Sequence, residues 1–467
     1  MKPVAQNHRL GSEPILPLLI KLSIPGMISM SIQALYNVVD SFFVARISEN
    51  ALTALAIAFP VHIFLIAVAT GTGIGTSSLI SRMLGQKREA DAVCVAQHVL
   101  SAALLYGMLS AGAGMLLSGP IVRTFSEDPS VIRYGIQYIR IIMLGGVFLF
   151  TSIIASDVLR GQGNTFLPML ALMLGAVTNI ILDPLMIFGI GFFPRLEVTG
   201  AALATIISKG ISCCFILILL FRGEHLVKPK MARFRIDLSI LRRVYKVGLP
   251  SMFMQFLTSF MIGGLNIILG SYTETAIAVT GVYFRLQSFI LMPVFGLTQG
   301  YIPIIGYNYG ARNTERMKQA LRYGLLIAFA LTAAGASLFR FFPAALINLF
   351  NPGPDMLVIG TNALSTIAIG LFVVGPSIIG ATTFQAIGMG LPSLALSFLR
   401  QIVLLLPFAW LLGRWRGLNA VWYAMPLSEF ISLFIMIFWL GRRLQKEFTA
   451  LDGSKPPLST SRIEKTG

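Results

Sequence analysis

The sequence predicts an all-α membrane protein whose twelve transmembrane helices form two similar halves of six helices each. Three observations lead to this fold class: long apolar segments, few charged residues and an internal repeat. The chain of 467 residues is 55% hydrophobic and 12% charged, whereas ordinary soluble domains contain about 25% charged residues. Its mean hydropathy is +0.79, as expected for a chain that crosses the bilayer repeatedly.

Each apolar segment is long enough for a helix to cross a hydrocarbon layer of about 30 Å. The segments lack the alternating pattern of outer-membrane strands. The first exceeds the length of a signal peptide and has no small-residue cleavage site, so we expect an uncleaved span. The twelve predicted spans comprise residues 16–45, 51–81, 92–118, 131–158, 166–190, 199–221, 247–270, 276–303, 317–341, 356–387, 392–413 and 419–441.

Short motifs occur twice at one constant separation, illustrated by 250 − 25 = 225. The pairs at this separation are Pro25 with Pro250, Gly85 with Gly310, and Gly163 with Gly388. Two parallel halves with a substrate site between them are expected from such a repeat, because each half holds an even number of spans. The predicted divisions are an N-terminal half (1–222), a basic linker (223–246), a C-terminal half (247–446) and a disordered tail (447–467).

Basic residues are concentrated in the linker between the two halves. The chain contains 36 Lys and Arg against 19 Asp and Glu, which gives a net charge of +17. The positive-inside rule therefore places the linker and both termini in the cytoplasm, with the protein in the inner (plasma) membrane. This distribution suits contact with anionic lipid headgroups, and we expect no nucleic-acid partner.

Two carboxylates, Asp40 and Asp183, lie within predicted spans. An ionisable group at that depth costs roughly 2.5–3.5 kcal/mol on insertion scales and commonly marks an ion or substrate path. Tyr36 precedes Asp40 by four residues, and Asn179 precedes Asp183 by four, so each pair shares a helix face. We favour a transport site over the alternative, a structural polar network. Further cavity candidates on the first span are Gln33 and Asn37.

Other charged residues also lie within the predicted spans. Asp157 precedes Arg160 by three residues near a span end, where local pairing or contact with the interface is expected. The C-terminal half offers candidates for an internal ion network, since unpaired charge there is costly. These candidates are Arg285, Arg400 and Glu429. A structural role and a cavity-lining role are both consistent with them and with Lys209.

The sequence contains no motif for nucleotide hydrolysis or covalent catalysis. Residues 71–76 read GTGIGT, but the Lys-Ser/Thr of a P-loop is missing. In an apolar span such small residues allow helices to approach closely. His62 and His98 are isolated, so we expect no metal site. We therefore predict a protein that is not an enzyme and has no cofactor.

Six segments carry a resemblance that extends over nearly the whole chain. In order, they are LSIP, YNVVDSFFVARIS, RGQGNTFLPM, NIILDPLMIFG, TGAALATIIS and GYNYGAR. Together with the repeat, they resemble the multidrug and toxic compound extrusion (MATE) transporters. The resemblance implies two six-helix lobes in a V and export of amphiphilic, often cationic drugs. It maps the family's cation site onto Asp40, Asn179, Asp183 and Thr205, with Tyr138 as a further candidate.

One branch of this family carries additional carboxylates in the seventh and tenth spans. The seventh span here offers Gln255 and no acid, and the tenth has only Asp355 at its outer edge. This departure favours the DinF-like branch and a coupling site confined to the N-terminal half.

The predicted function is secondary active multidrug antiport by alternating access, driven by H⁺ or Na⁺ as the coupling ion. The expected partners are small amphiphilic drugs and membrane lipid, and we expect a monomer. The alternative is a lipid or lipid-linked-sugar flippase of the wider superfamily, because Arg285 and Arg400 suit an anionic headgroup. A receptor or scaffold would leave the carboxylates in the spans unexplained.

Overall fold

The computed structural model of the protein describes residues 9–191, 193–229 and 237–453, which are overwhelmingly helical. The helices of the N-terminal half are α1 (Ile15–Ala45), α2 (Glu49–Gly85), α3 (Glu89–Phe125), α4 (Pro129–Leu144), α5 (Gly146–Gly161), α6 (Phe166–Phe188) and α7 (Glu197–Arg222). Those of the C-terminal half are α8 (Leu238–Gly270), α9 (Glu274–Gly310), α10 (Thr314–Phe341), α11 (Pro343–Asn348), α12 (Pro354–Ala386), α13 (Gly390–Phe398), α14 (Leu405–Arg416), α15 (Leu418–Val421) and α16 (Ala424–Gly453).

The number of membrane-spanning helices agrees with the predicted twelve. Within the described residues, 11 helical segments are long and apolar enough to cross a membrane, and the bent pair α4–α5 raises the number to 12. This pair, predicted as one continuous span, bends by 44°. At the bend, Ser110 donates a hydrogen bond of 3.0 Å to the carbonyl of Met143. Gly145 lies there against Ile206, with no room for a side chain.

Two predicted boundaries differ from the structure. The helix α8 begins at Leu238, well before the predicted start of the seventh span, so the linker is shorter than expected. The helix α16 continues to Gly453, which makes the first part of the predicted tail helical. Residues 454–467 of that tail lie outside the described residues.

The linker is attached to the N-terminal half by hydrogen bonds. Gln162 accepts a bond of 3.0 Å from the backbone N–H of Val227 and donates one of 3.3 Å to its carbonyl. The backbone N–H of Asp237 donates to His98 Nε2 at 2.7 Å. We call the side of the membrane on which α7 ends and α8 begins the linker side.

The backbone confirms that the two halves are repeats of one structure. Gly163 and Gly388 both have left-handed backbones, with φ of 80° and 88°. Lys87 and Arg312, which are also 225 residues apart, have φ of 61° and 56°. Because non-glycine residues rarely adopt positive φ, the matching turns show that equivalent helices end in the same way in both halves.

The two halves meet through backbone contacts at glycines, along the pairs α1–α9 and α2–α8. A Cβ atom on Gly71 of α2 would lie 2.7 Å from the carbonyl oxygen of Gly248 in α8. At the equivalent position of the repeat, a Cβ atom on Gly296 of α9 would lie 2.4 Å from Met27 Cα in α1. Only glycine fits such approaches, as expected for small residues at helix interfaces in membranes.

A second pair of equivalent glycine contacts lies at the linker-side ends of α2 and α9. A Cβ atom on Gly85 would lie 2.0 Å from the carbonyl oxygen of Tyr307, and one on Gly310 would lie 2.1 Å from that of Arg82. Among the described residues, the hydrogen bonds and glycine contacts that join the two halves lie in the linker-side part of the helices. The structure is therefore closed on the linker side.

The first helix of each half packs into the core of the other half. At the linker-side end of α1, Leu18 and Leu19 belong to a buried cluster that contains Tyr301 of α9. At the linker-side end of α8, Ile240 and Val244 belong to the buried cluster of the N-terminal half. The linker-side end of α1 is therefore part of the C-terminal core, and the linker-side end of α8 is part of the N-terminal core.

An ion pair lies within the C-terminal half. Arg400 Nη1 and Glu429 Oε1 are 2.7 Å apart, and their side chains are only 23% and 16% exposed. Arg400 belongs to the π-helical turn Leu399–Leu404 between α13 and α14, a rare conformation that is frequent at functional sites. Among the described residues, Glu429 Oε2 has no hydrogen-bond partner.

We expect Gly296→Ala to destabilise the closed linker side, because the added methyl group would overlap the backbone of α1. Overpacking of this kind costs about 1–3 kcal/mol. The matched control is Gly281→Ala on the same helix, where no atom lies within 4 Å of the position that the added methyl group would take. Thermal unfolding in detergent measures the loss of stability. Equal melting temperatures of the two variants would contradict the proposed contact.

We expect Glu429→Gln to cost about 3 kcal/mol of stability, because it leaves the Arg400 charge without its counter-ion. The double variant Arg400→Met/Glu429→Met removes both charges and is expected to recover most of this loss. Denaturant titration measures both effects. If the double variant were as unstable as the single one, charge compensation would not be the role of this pair.

Candidate functional site

The helix α6 carries two fully buried polar side chains, Asn179 and Asp183, in its half opposite the linker side. Asn179 is 1% exposed and Asp183 is 0% exposed. Asn179 Nδ2 donates a hydrogen bond of 3.1 Å to Asp183 Oδ1, as the four-residue spacing predicts. Among the described residues, Asn179 Oδ1 has no hydrogen-bond partner. This buried, acceptor-rich pair is suited to hold a proton or a small cation.

The helix α1 packs beside α6 and carries the second predicted carboxylate. Tyr36 is buried on α1. The backbone of residues 37 and 40 belongs to this helix, but the side chains of Asn37 and Asp40 lie outside the described residues. The proximity of Asp40 to Asp183 stays a prediction that rests on the packing of α1 against α6.

The helix α7 runs antiparallel to α6 and sets the position of Thr205. Gly175 lies against Ser208 and Ser212, and Gly200 lies against the carbonyl of Met186. This register places Thr205, which is 4% exposed, at the height of the Asn179–Asp183 pair. Three members of the predicted cation site are thereby brought to one level of the N-terminal half.

Lys209 lies one helical turn from Thr205, towards the linker side. Its Nζ is 5.5 Å from the ring centroid of Tyr36, within the range of a cation–π contact. Gln33 and Tyr36 line a cavity of about 10 Å³ together with Ser208 and Lys209, which is close to the size needed for one water molecule.

Tyr138, the weakest candidate for the cation site, lies on α4 and is 6% exposed. It belongs to the buried apolar cluster of the N-terminal half, with Ile139 and Ile142 as members of the same cluster. The helix α4 packs mainly against α2, α3 and α7. A role of Tyr138 in binding a cation stays a prediction.

The predicted charge network of the C-terminal half is only partly formed. Arg400 and Glu429 pair with each other, but no ion pair involves Arg285 in the part of the chain that the structure describes. Arg285 is exposed and lies 11 residues, or three helical turns, from Gly296. Both residues therefore share the face of α9 that meets α1.

Gln255, the polar candidate of the seventh span, shares the face of α8 that carries Gly248 and meets α2.

Asp157 forms the local pair predicted for it. Its carboxylate lies 2.9 Å from Arg160 Nη1. The side chain of Asp157 is only 9% exposed, so of the two predicted alternatives, local pairing and contact with the interface, the structure shows local pairing. A Cβ atom on Gly73 would meet Asp157 Oδ2 at 1.9 Å, which shows that this pair occupies the contact between α2 and α5.

A pair of phenylalanines was not identified from the sequence. Phe64 of α2 and Phe289 of α9 are 225 residues apart, and each lies seven residues before a contact glycine, Gly71 or Gly296. They are 52% and 61% exposed, and the Phe64 ring lies 6.0 Å from that of Phe256 in α8. The repeat separation was the signal that could have revealed them.

Comparisons with known proteins identify relatives along nearly the whole chain. The MatE family model matches residues 25–185 and 250–411. The two matched segments begin 225 residues apart, as the repeat requires (250 − 25 = 225).

Named relatives and solved structures are similar over almost their full lengths. An FAD transporter of Shewanella oneidensis is 28% identical over 442 residues, covering 94% of this chain and 97% of that protein. The multidrug export protein MepA of Staphylococcus haemolyticus is 24% identical over 421 residues, covering 90% and 92%. A MOP superfamily transporter from Pyrococcus furiosus, described as having a binding pocket of reverse polarity, has a TM-score of 0.87, 29% identity and coverages of 94% and 98%.

A multidrug resistance MATE transporter in an outward-facing conformation has a TM-score of 0.89 and 28% identity, covering 97% of this chain and 99% of its own. These similarities confirm the predicted fold class of two pseudo-symmetric lobes. They also confirm that the protein is a transporter and not an enzyme. With a family match over more than half of its length, the chain belongs to the MATE family of multi-pass membrane transporters.

Proposed function

We propose that the protein is a secondary active efflux antiporter that exports amphiphilic compounds in exchange for H⁺ or Na⁺. The single observation that carries this proposal is the buried Asn179–Asp183 pair at the level of Thr205. A carboxylate in such surroundings is costly when charged and unoccupied. Binding of a proton or cation would therefore stabilise the N-terminal half, which is the energetic effect that coupling to transport requires.

The proposed coupling site consists of Asp40, Asn179, Asp183 and Thr205. A proton would neutralise a carboxylate, whereas Na⁺ would be held by the carboxylate, amide and hydroxyl oxygens of these residues. Either ion shifts the balance between two arrangements of the protein only if it binds one arrangement more tightly. The helix α1 connects the proposed ion site to the C-terminal half, because it packs on α6 and also contacts α9.

Alternating access is supported by the reciprocal glycine contacts between the halves. The pairs α1–α9 and α2–α8 are equivalent under the repeat, so opening the linker side requires both to separate. Rocking of one half against the other about a central site is the motion expected for parallel repeats. In this cycle the described structure is the state closed on the linker side.

Export of small molecules is favoured over the flippase alternative by the named relatives. MepA is a multidrug export protein and another relative is an FAD transporter, so both act on small organic solutes. The FAD transporter adds organic anions to the candidate substrates. Of the two arginines that suggested an anionic headgroup, Arg400 is neutralised by Glu429, which leaves Arg285 as the remaining support for lipid-linked sugars.

We further propose that the linker side is cytoplasmic, which makes the structure outward-facing. The support is the excess of basic residues in the linker. A reporter fused after Gly467 is expected to show the activity characteristic of the cytoplasm. The control is a reporter inserted in the segment between α6 and α7, which should show the activity characteristic of the outer side of the membrane. Reversed activities would invert the direction of transport proposed here.

We expect Asp40→Asn and Asp183→Asn each to abolish gradient-driven export, at least about 100-fold, because each removes a charge that binds the coupling ion. The double variant should be little worse than either single one, since residues of one site are not additive. The measurement is dye efflux from proteoliposomes under an imposed pH or Na⁺ gradient, without ATP and normalised to folded protein.

The matched control is Asp355→Asn, an exposed carboxylate in the first turn of α12. It is expected to retain full export. Normal export by both coupling-site variants, with the same gradient, would place the coupling site elsewhere. Export that depends on ATP at constant gradients would exclude antiport itself.

A further inference from the structure

Lys209 of α7 lies in the interior of the N-terminal half, between the helices that carry the proposed coupling site. It lines the cavity of about 10 Å³ together with Gly175 and Ala176 of α6. Its Nζ is 5.5 Å from the ring centroid of Tyr36 on α1. The helices α1, α6 and α7 therefore surround this cation as well as the coupling site.

Lys209 lies one helical turn from the coupling site, on its linker side. On α6, Asn179 follows Gly175 by four residues, and on α7, Lys209 follows Thr205 by four residues. Residues four apart lie on one face of a helix, about 6 Å apart along its axis. The cavity beside Lys209 and the coupling site are therefore neighbours on the same helix faces.

The side chains of Lys209 and Asp183 start towards each other along the helix axes. The Cα–Cβ bonds of an α-helix are tilted towards its N-terminus. Because α7 begins opposite the linker side, Lys209 is tilted towards the level of Thr205. Because α6 begins on the linker side, Asp183 is tilted towards the level of Asn179. Asp183 lies seven residues after Ala176, or about 10 Å along the helix, and the two side chains extend into this interval from opposite ends.

The charges around the coupling site leave one net negative charge. When both carboxylates of the site, Asp40 and Asp183, are ionised, the ammonium group of Lys209 offsets one of them. The other titratable side chains near Lys209, Tyr36 and His62, are not acids at neutral pH. Within the described residues, Lys209 forms no ion pair. One bound H⁺ or Na⁺ therefore neutralises the whole group.

In the C-terminal half, the repeat places a closed ion pair at the corresponding position. Arg400 is 225 residues after Gly175, which lines the cavity beside Lys209. Arg400 Nη1 lies 2.7 Å from Glu429 Oε1. The cation of the C-terminal half thus has an acid of its own, whereas the acids within α1 and α6 belong to the proposed coupling site.

We propose that Lys209 is a tethered cation that competes with the coupling ion for the carboxylates of the coupling site. In the ion-free state, its ammonium group approaches these carboxylates from the linker side and offsets their charge. Binding of H⁺ or Na⁺ displaces it to the position over Tyr36 that the structure shows. This inference rests on the proposed antiport function and adds a positioning residue that sets the affinity for the coupling ion.

The physical basis is the interaction of charges in a poorly screened interior. An ionised carboxylate within the membrane is costly, so a cation on a flexible stem stabilises the ion-free site. The same charge repels an incoming ion. At a separation of about 10 Å and an effective dielectric constant of about 20, this repulsion weakens ion binding roughly tenfold.

The first test is the concentration of H⁺ or Na⁺ that half-saturates gradient-driven dye efflux from proteoliposomes. We expect Lys209→Gln to lower this concentration roughly tenfold, because the repulsion is lost. Lys209→Arg should keep the wild-type value, because it keeps the charge.

The matched control for this test is Arg140→Gln, which removes a cation of α4 that donates to Ser118 Oγ at 3.0 Å. It should leave the half-saturating concentration unchanged. A lower maximal rate of Lys209→Gln at an unchanged half-saturating concentration would indicate a structural role and overturn the inference. An equal change in Lys209→Gln and Lys209→Arg would also overturn it.

The second test needs no transport. Thermal unfolding of the purified full-length protein is followed at alkaline pH without Na⁺, where the coupling site is empty. We expect Lys209→Gln to lower the melting temperature by about 2 °C, and by clearly less in the Asp183→Asn background, since one of the two carboxylates is then uncharged. Adding Na⁺ or lowering the pH should reduce the loss, because the bound ion replaces the lysine charge.

The two tests separate this inference from the proposed function. An equal effect of Lys209→Gln in the wild-type and Asp183→Asn backgrounds, combined with normal gradient-driven efflux, would overturn the tethered cation and leave antiport intact. A clear dependence on Asp183 without gradient-driven movement of any dye would support the tethered cation and overturn antiport.

Discussion

The backbone contacts between the two halves are the constraint on which the rest of the structure depends. Gly71 of α2 and Gly296 of α9 allow two helix pairs to approach so closely that no other residue fits. In the membrane, the hydrophobic effect does not drive helices together, so van der Waals contact at small residues becomes decisive. These contacts close the linker side of the protein. Beyond them, on the side opposite the linker, the same faces of α8 and α9 continue along the boundary between the halves.

The packing of α1 also connects the proposed ion site to the other half. The helix α1 packs on α6, which carries Asn179 and Asp183, and its linker-side end packs on α9. The helix that packs beside the buried Asn179–Asp183 pair is therefore also in contact with the other half. The equivalent helix α8 has no acidic residue in its span, so the two halves share a fold but differ in chemistry.

The charges within the membrane have unequal roles because they have unequal partners. Asp157 is held by Arg160, and Glu429 by Arg400, so these pairs stabilise contacts between helices. Lys209 instead lies over the ring of Tyr36, and Arg285 is exposed. In the sequence all of them are charged residues in apolar segments, and only their surroundings in the structure distinguish the paired residues from the others.

The sequence by itself determined the helical class, the two repeats and the buried Asn179–Asp183 pair, because hydropathy, constant separation and helical spacing are properties of the chain alone. It did not show the break between α4 and α5 or the π-helical turn at Arg400. For Glu429 it offered two partners, Arg285 and Arg400, and the structure shows the pair with Arg400. Those features depend on which helices pack together across large separations in sequence. The tertiary structure alone decided that Glu429 pairs with Arg400, since pairing in a low-dielectric interior depends on distances of a few ångströms between residues far apart in the chain.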